Sequence, residues 1–416
     1  MTADPHRTVD AVWRIESARL IAGLARYVRD VGLAEELAQD ALVAALEQWP
    51  ESGVPANPGA WLMTVAKRRG VDQIRRRATL ERKQAELGRA LDTAYDFELD
   101  AAIDGEIEDD LLRLVFTACH PVLSTQARVA LTLRLLGGLT TDEIARAFLV
   151  PEPTVAQRIV RAKRTLADEQ VPYEVPSGPE LRDRLASVLE VVYLVFNEGY
   201  AATSGSSWVR PSLCNEAMRL GRILAELTPG EAEVHGLVAL MEIQASRLRA
   251  RVGPIGEPVR LLDQDRTRWD QLLIRRGLAA LDRAEALGET PGPYVLQASI
   301  AACHVQARSV EETDWVRIAA RYTALALQAP SPVVELNRAV AIGMAFGPEF
   351  GLDLVDQLLA RGDLRDYHLL PSVRGDLLAK LGRNDEARAE FERAAALTRN
   401  EQERALLLAR AAESTV

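Results

Sequence analysis

At 416 residues and a formal net charge of −10, the chain is too long for one small core and too acidic to coat nucleic acid indiscriminately. Apolar residues make up 48% and aromatics only 5%, with Ala, Leu, Arg and Glu prevailing, so an all-α protein of two or more domains is expected. No apolar run reaches the about 18 residues that span a bilayer, the opening MTADPHRTVD has no apolar signal region, and Cys119, Cys214 and Cys303 lie too far apart for a disulfide framework or a CxxC metal signature. A cytoplasmic protein with no metal and no cofactor is the expectation.

Residues 9–83 predict three helices. The first covers about 9–29, and the second, about 34–49, follows a break at Gly32. In the second, Leu42, Ala45, Leu46 and Trp49 recur as a core stripe, while Glu36, Gln39, Asp40 and Val43 form a mixed outer stripe suited to docking a partner. The loop 50–58 is rich in Pro, Gly, Ser and Asn, which is turn chemistry. The third helix starts near Gly59 and runs past Arg77. It sets Trp61, Leu62, Val65 and Ala66 on one side and Arg68, Asp72, Arg75 and Arg76 on another, flanked by Lys67. A charge run is usually a solvated face. Beside a Pro/Asn loop containing Asn57, the same face is suited to gripping phosphates while the loop holds an unstacked base.

Charge is unevenly distributed. Lys67 to Arg77 holds six basic residues and one acid, whereas Glu86 to Asp110 holds ten acids and one base. Residues 84–107 therefore read as an acidic linker, either a plain spacer or a nucleic-acid mimic.

Residues 108–170 predict a second helical unit ending in a helix-turn-helix. Thr140 or Thr141 caps its first helix, with Asp142 and Glu143 at the positive end of the dipole. Val150-Pro151 makes the turn, and Pro153 sits in a first turn that tolerates it. The second helix carries two stripes. Val155, Ile159, Ala162 and Leu166 dock it; Thr154, Gln157, Arg158 and Arg161, with Lys163 nearby, are the residue types that reach base edges and phosphates in a major groove. A helical hairpin with a solvated basic face is the plainer alternative.

Pro172, Pro176 and Pro179 mark the next boundary, and 180–416 reads as helix after helix, centred near Val191, Leu220, Leu240, Leu278, Val295, Ala320, Val340, Val355, Leu377 and Phe391. In LLPSVRGDLLAKLGRNDEARAEFERAAAL, a helix ends at Leu381-Gly382 and Ala387, Phe391 and Ala394 follow at spacings of four and three. That segment resembles a tetratricopeptide unit, in which paired helices stack with small residues at close contacts. Cys119-His120 and Cys303-His304 are adjacent pairs whose side chains point about 100° apart on a helix, poor geometry for one metal. Phe196-Asn197-Glu198-Gly199-Tyr200 reads either as a helix end capped by Gly199 or as an interface segment.

Taken in order, these elements resemble the sigma-70 family in its extracytoplasmic-function class. AEELAQDALVAALEQW is similar to the region 2 helix that binds core RNA polymerase, NPGAWLMTVAKRRGVDQIRRR to the region 2 helix that melts and reads the −10 element, and residues 111–166 to region 4, which reads the −35 element. The C-terminal part resembles the subgroup with a fused tetratricopeptide-like domain, through FNEGYAATSG, LCNEAMRL, GLVALM and GEPVRLLDQDRTRWD. The resemblance implies an alternative sigma factor, not an enzyme. Glu36, Gln39, Asp40 and Val43 would bind polymerase. Asn57, Trp61, Lys67, Arg68, Asp72, Arg75 and Arg76 would serve the −10 element, and Thr154, Gln157, Arg158, Arg161 and Lys163 the −35 element. It implies promoter DNA and core polymerase as partners, and a YCII-related small protein as a further candidate. Many members of the class carry Asn where Arg68 stands. A one-component regulator with a helical-repeat sensor is the alternative, and it would need no region 2.

Overall fold

A computed structural model describes residues 5–70, 107–148, 150–201, 209–254, 257–288 and 290–414. Among them the secondary structure is helical, with an isolated antiparallel bridge between Val252 and Pro258 and no strand. The protein is all-α, and it divides into two compact units, Met1–Val191 and Val192–Val416.

The first unit opens with α1 (Pro5–Val28) and α2 (Val31–Ser52) packed against each other, followed by α3 (58–70). The break between α1 and α2 is not at Gly32, which lies inside α2. It falls at Arg29, whose φ of 52° turns the chain, and at Asp30, whose carboxylate accepts the Leu33 N–H at 3.0 Å and so caps α2. Ala38, Ala41, Ala45 and Trp49 of α2 are buried, while Leu42 and Leu46 are only half-buried. The small alanines let α1 come close, which moves the buried stripe off the two leucines. Trp61 on α3 and Trp49 meet edge to face, with ring centroids 5.3 Å apart.

The same unit continues with α4 (Ile107–Ala118), α5 (Thr125–Leu135), α6 (Thr141–Phe148) and α7 (Glu152–Asp168). A reciprocal capping box starts α6: Thr140 Oγ1 accepts from the Glu143 N–H at 3.1 Å, and Glu143 Oε2 accepts from the Thr140 N–H at 2.8 Å. Glu152 and Pro153 occupy the first turn of α7, where proline needs no N–H partner.

The Pro-rich stretch does not end this unit. The division between units falls within α8 (Gly178–Tyr200), later than the 180 that the prolines suggest. The reason is polar anchoring of the first half of α8. Arg184 donates to the Phe116 carbonyl at 3.0 Å and Ser187 to that of Cys119 at 2.7 Å, both near the end of α4.

The second unit stacks α9 (Pro211–Leu227), α10 (Ala232–Ala245), α11 (Gln271–Leu287), α12 (Pro293–Gln306), α13 (Trp315–Gln328), α14 (Pro332–Phe346), α15 (Pro348–Arg361), α16 (Leu369–Lys380), α17 (Asn384–Leu397) and α18 (Glu401–Glu413). Each predicted helix centre lies in one of these or in α8, and most neighbours in sequence pack on each other, as in a helical-repeat domain. Phe391 of α17 is 1% exposed and lies against Gly375 of α16, where an added Cβ would meet its Cε1 at 2.7 Å. Tyr193, Leu240, Ile243, Leu281, Val295 and Ala298 join α8, α10, α11 and α12 in one core. Leu336, Leu352, Val355, Leu377, Phe391 and Leu407 join α14 to α18 in another. Gly199 is no C-cap. It lies within α8, and an added Cβ would stand 2.7 Å from the Cys214 amide nitrogen, so the glycine serves a close approach to α9.

Candidate nucleic-acid interface

The stripe division on α7 is realised. Val155, Ile159, Ala162 and Leu166 are buried, pinning the helix to α5 and α6. Gln157 and Arg161 are exposed, and Thr154 and Arg158 half-buried. Among the described residues, neither Arg158 nor Arg161 has a carboxylate partner, so both guanidinium groups are available to an outside anion. Their side chains stand one helical turn apart, on the face that the buried stripe leaves outward. Such a face can place guanidinium forks against guanine edges or phosphates.

Lys163 has a different environment from the rest of its set. Its Nζ forms an ion pair with Oε2 of Glu35 on α2, and its side chain is 21% exposed. The Glu35 carboxylate is itself 4% exposed. Its Oε1 accepts from Arg134 Nε of α5 at 2.6 Å and from Gln39 Nε2 at 2.5 Å. Oε2 faces Lys163 Nζ as an ion pair. One buried carboxylate of the first three helices thus holds two cations of the helix-turn-helix part. A second tie involves the C-terminal half of α1. Asp110 of α4 is paired with Arg113 at 2.6 Å and Arg26 of α1 at 3.6 Å. The Tyr173 hydroxyl is 2.9 Å from the carbonyl oxygens of both Ala22 and Asp110. Sequence reasoning missed these ties because a lone Glu in an amphipathic helix gives no sign of burial by a distant segment.

On α2, Glu36, Asp40 and Val43 are exposed, Val43 at 49%, and Gln39 is half-buried through its bond to Glu35. Arg69 of α3 donates to the Asp40 carbonyl at 2.7 Å and lies 3.6 Å from its carboxylate. An exposed apolar side chain one turn from Asp40 gives this outer face the mixed chemistry of a docking surface. On α3, Asn57 caps the helix by accepting from the Ala60 N–H at 3.0 Å, which is a sufficient structural role. Trp61 is half-buried on Trp49. Lys67 stands over the Tyr27 ring, 4.6 Å from its centroid, and Arg68 is exposed. Asp72, Arg75 and Arg76, and the acidic linker through 106, lie outside the described residues.

Among the described residues no His, Cys, Asp or Glu cluster has metal-holding geometry, and no helix is long and apolar enough to cross a membrane. The cysteines are free and buried. Burial pushes the Cys119 thiol up to about 11 and that of Cys214 up to about 12, which leaves little thiolate for nucleophilic work.

Comparison with known proteins matches three segments. Residues 15–79 match the family described as Sigma-70 region 2, residues 113–166 that described as Sigma-70, region 4, and residues 184–285 a family of unknown function, DUF6596. An uncharacterised protein of Rhizobium meliloti, R00370, is 44% identical over 399 residues, covering 93% of this chain and 91% of that one. The ECF RNA polymerase sigma factor SigK of Mycobacterium ulcerans is 32% identical over 153 residues, which is 36% of this chain and 78% of SigK. SigK of Mycobacterium tuberculosis H37Rv is 31% identical over 154 residues, with the same coverage. The crystal structure of yeast Tom70 aligns with 92% of this chain and 81% of its own at 11% identity and a TM-score of 0.31, too weak a likeness to bear on function.

Proposed function

The chain belongs to the ECF class of sigma-70 RNA polymerase sigma factors, and from that membership we propose that it steers core polymerase to specific promoters through three helix faces. The outward stripe of α7, with Thr154, Gln157, Arg158 and Arg161, reads the −35 element. Asn57, Trp61, Lys67 and Arg68 on α3, with Asp72, Arg75 and Arg76 beyond it, serve the −10 element. Glu36, Gln39, Asp40 and Val43 on α2 bind polymerase. The polymerase carries out nucleotidyl transfer. The observation that carries this reading is the α7 face itself: one stripe wholly buried, the other presenting two arginines with no carboxylate partner among the described residues.

The ion pairs around Glu35 bear on how this works. The −10 and −35 elements are roughly 25 base pairs apart, on the order of 85 Å at about 3.4 Å per step. Region 2 and region 4 held together through Glu35, Arg134 and Lys163 do not span that distance. The closed arrangement is therefore the resting form, and promoter binding separates the two regions and frees Lys163 for DNA. The C-terminal unit sets activity in cis, and a YCII-related small protein is a candidate regulator acting on it. A fragment ending at Val191 should differ several-fold from the full chain in transcription, and equal activity would remove the regulatory role.

The test of DNA reading is Arg161→Ala. A bidentate base contact is worth about 1–3 kcal/mol, or roughly 5- to 150-fold in promoter affinity. Core binding should be unchanged, because Arg161 lies on the opposite face from the buried stripe. Unaltered transcription from the cognate promoter would remove α7 as the reading helix.

A further inference from the structure

The C-terminal unit contains a buried cation with no carboxylate partner among the described residues. Arg247 follows α10 and is 7% exposed. Its Nε is buried with no hydrogen-bond partner, and among the described residues its guanidinium makes no ion pair. Burial holds its basicity below the usual arginine value, so the charge is poorly solvated. Arg184, likewise buried, also leaves its Nε unpartnered but reaches the Phe116 carbonyl and Glu180, and the half-buried Arg266 reaches the carbonyls of His304 and Ala307 at 2.6 and 2.7 Å. Arg247 therefore stands apart.

Its surroundings are built from several helices. The Arg247 guanidinium carbon is 5.9 Å from the Tyr200 ring centroid, and that of Arg251 is 3.9 Å from it. Tyr200 ends α8, where it shares a helix face with Asn197 and Tyr193. Tyr322 of α13 is near enough to Arg247 and to Tyr193 to feel both electrostatically. Tyr193, Asn197, Tyr200, Arg251 and Tyr322 are all half-buried. Aromatic walls and hydroxyls around one unpaired guanidinium are the elements of an acid-binding pocket.

We propose that the C-terminal unit is a receptor for a carboxylate, with the Arg247 guanidinium as the fork that grips it and Tyr200 and Tyr322 as flanking walls. A planar fork matches a planar carboxylate with two parallel hydrogen bonds. Phosphate, with more charge and more acceptor oxygens, calls for more donors than one unpaired guanidinium supplies. The ligand is a small organic acid or the carboxyl end of a peptide; both present the same group. The proposal does not depend on the sigma-factor reading, because binding is measured on the full chain without polymerase or DNA.

The test is calorimetry and thermal melting of the full chain with benzoate, with N-acetyl-tetraalanine as free acid and as amide, and with inorganic phosphate. At least one free acid should bind and raise the melting temperature, with the amide and phosphate at least tenfold weaker. Tighter binding of the peptide acid identifies a peptide terminus as the source, and tighter binding of benzoate a small acid. Arg247→Lys keeps the charge without the fork and should weaken binding at least tenfold while the circular dichroism spectrum stays native. Arg247→Met removes the unanswered charge and should melt higher than the native chain when no acid is present. Absence of binding by both acids, equal binding of phosphate, unchanged binding by Arg247→Lys, or a lower melting temperature for Arg247→Met would each overturn the proposal, the last by making the guanidinium a structural group.

Discussion

Glu35→Gln tests whether the closed arrangement limits access to polymerase. The native carboxylate is 4% exposed and answers Arg134, Lys163 and Gln39 at once. Breaking a buried ion pair by removing one partner costs about 3–5 kcal/mol. Glutamine keeps the shape and one acceptor oxygen, and the Arg134 and Lys163 side chains, 22% and 21% exposed, rehydrate in part. The loss of closure is then about 2 kcal/mol, or roughly 30-fold in the closed-to-open ratio. Where only the open form binds, apparent affinity scales with its population, so core polymerase should bind the variant up to about 30-fold more tightly. Dyes placed at the exposed positions 47 and 164 would report separation by energy transfer, and titration with core polymerase would report affinity. Arg134→Gln breaks the same bond from α5, away from the outer face of α2, and should have the same sign. Unchanged energy transfer and unchanged affinity in both variants would refute the idea that these pairs hold a resting form.

Three further outcomes are expected. Asp40→Arg, at a side chain 56% exposed, should alter stability by less than about 1 kcal/mol while weakening core binding at least tenfold; a pull-down paired with circular dichroism separates the two effects. Gly375→Ala drives a methyl group into Phe391 and should cost about 1–3 kcal/mol, seen as faster hydrogen exchange in α16 and α17; native exchange there would contradict the packing. Burial, then Arg247 and Arg266, push the His304 imidazole from 6.5 down to about 4, so the unfolded chain takes up its proton first as pH falls. Stability of α12 and α13 should drop between about pH 6.5 and 4, by on the order of 3 kcal/mol at full extent. His304→Gln should flatten that dependence in hydrogen exchange at pH 7 and pH 5, and an equally steep loss in the variant would assign the effect to other groups.

Local features were legible where one segment settles its own fate. The α7 stripe of Val155, Ile159, Ala162 and Leu166 is buried as its spacing predicts, and Thr140 caps α6 as its position before Asp142 and Glu143 predicts. Helix centres from Val191 to Phe391 all fall in helices, because apolar recurrence and short Gly or Pro breaks are strong signals. The final helix, α18, lies beyond the predicted helix centres, although Asn400 caps it by accepting from the amides of Gln402 and Glu403, a signal present in the sequence. What depends on distant partners was not legible. Leu42 and Leu46 yield the interior to smaller Ala38 and Ala41 because of how α1 packs, and Arg29 takes the turn assigned to Gly32. Glu35 and Arg247 are ordinary surface types in the sequence; only the fold buries one among cations and the other among tyrosines.

Reconstituted transcription tests the central claim most directly. Purified core polymerase is supplied with the chain on a pool of promoter-containing templates, and start sites are mapped. The account predicts initiation at a defined set of sites that requires the chain and falls roughly 5- to 150-fold with Arg161→Ala, whose binding to core polymerase is unchanged. Failure of the chain to bind core polymerase, or initiation at the same sites with and without it, would contradict the account.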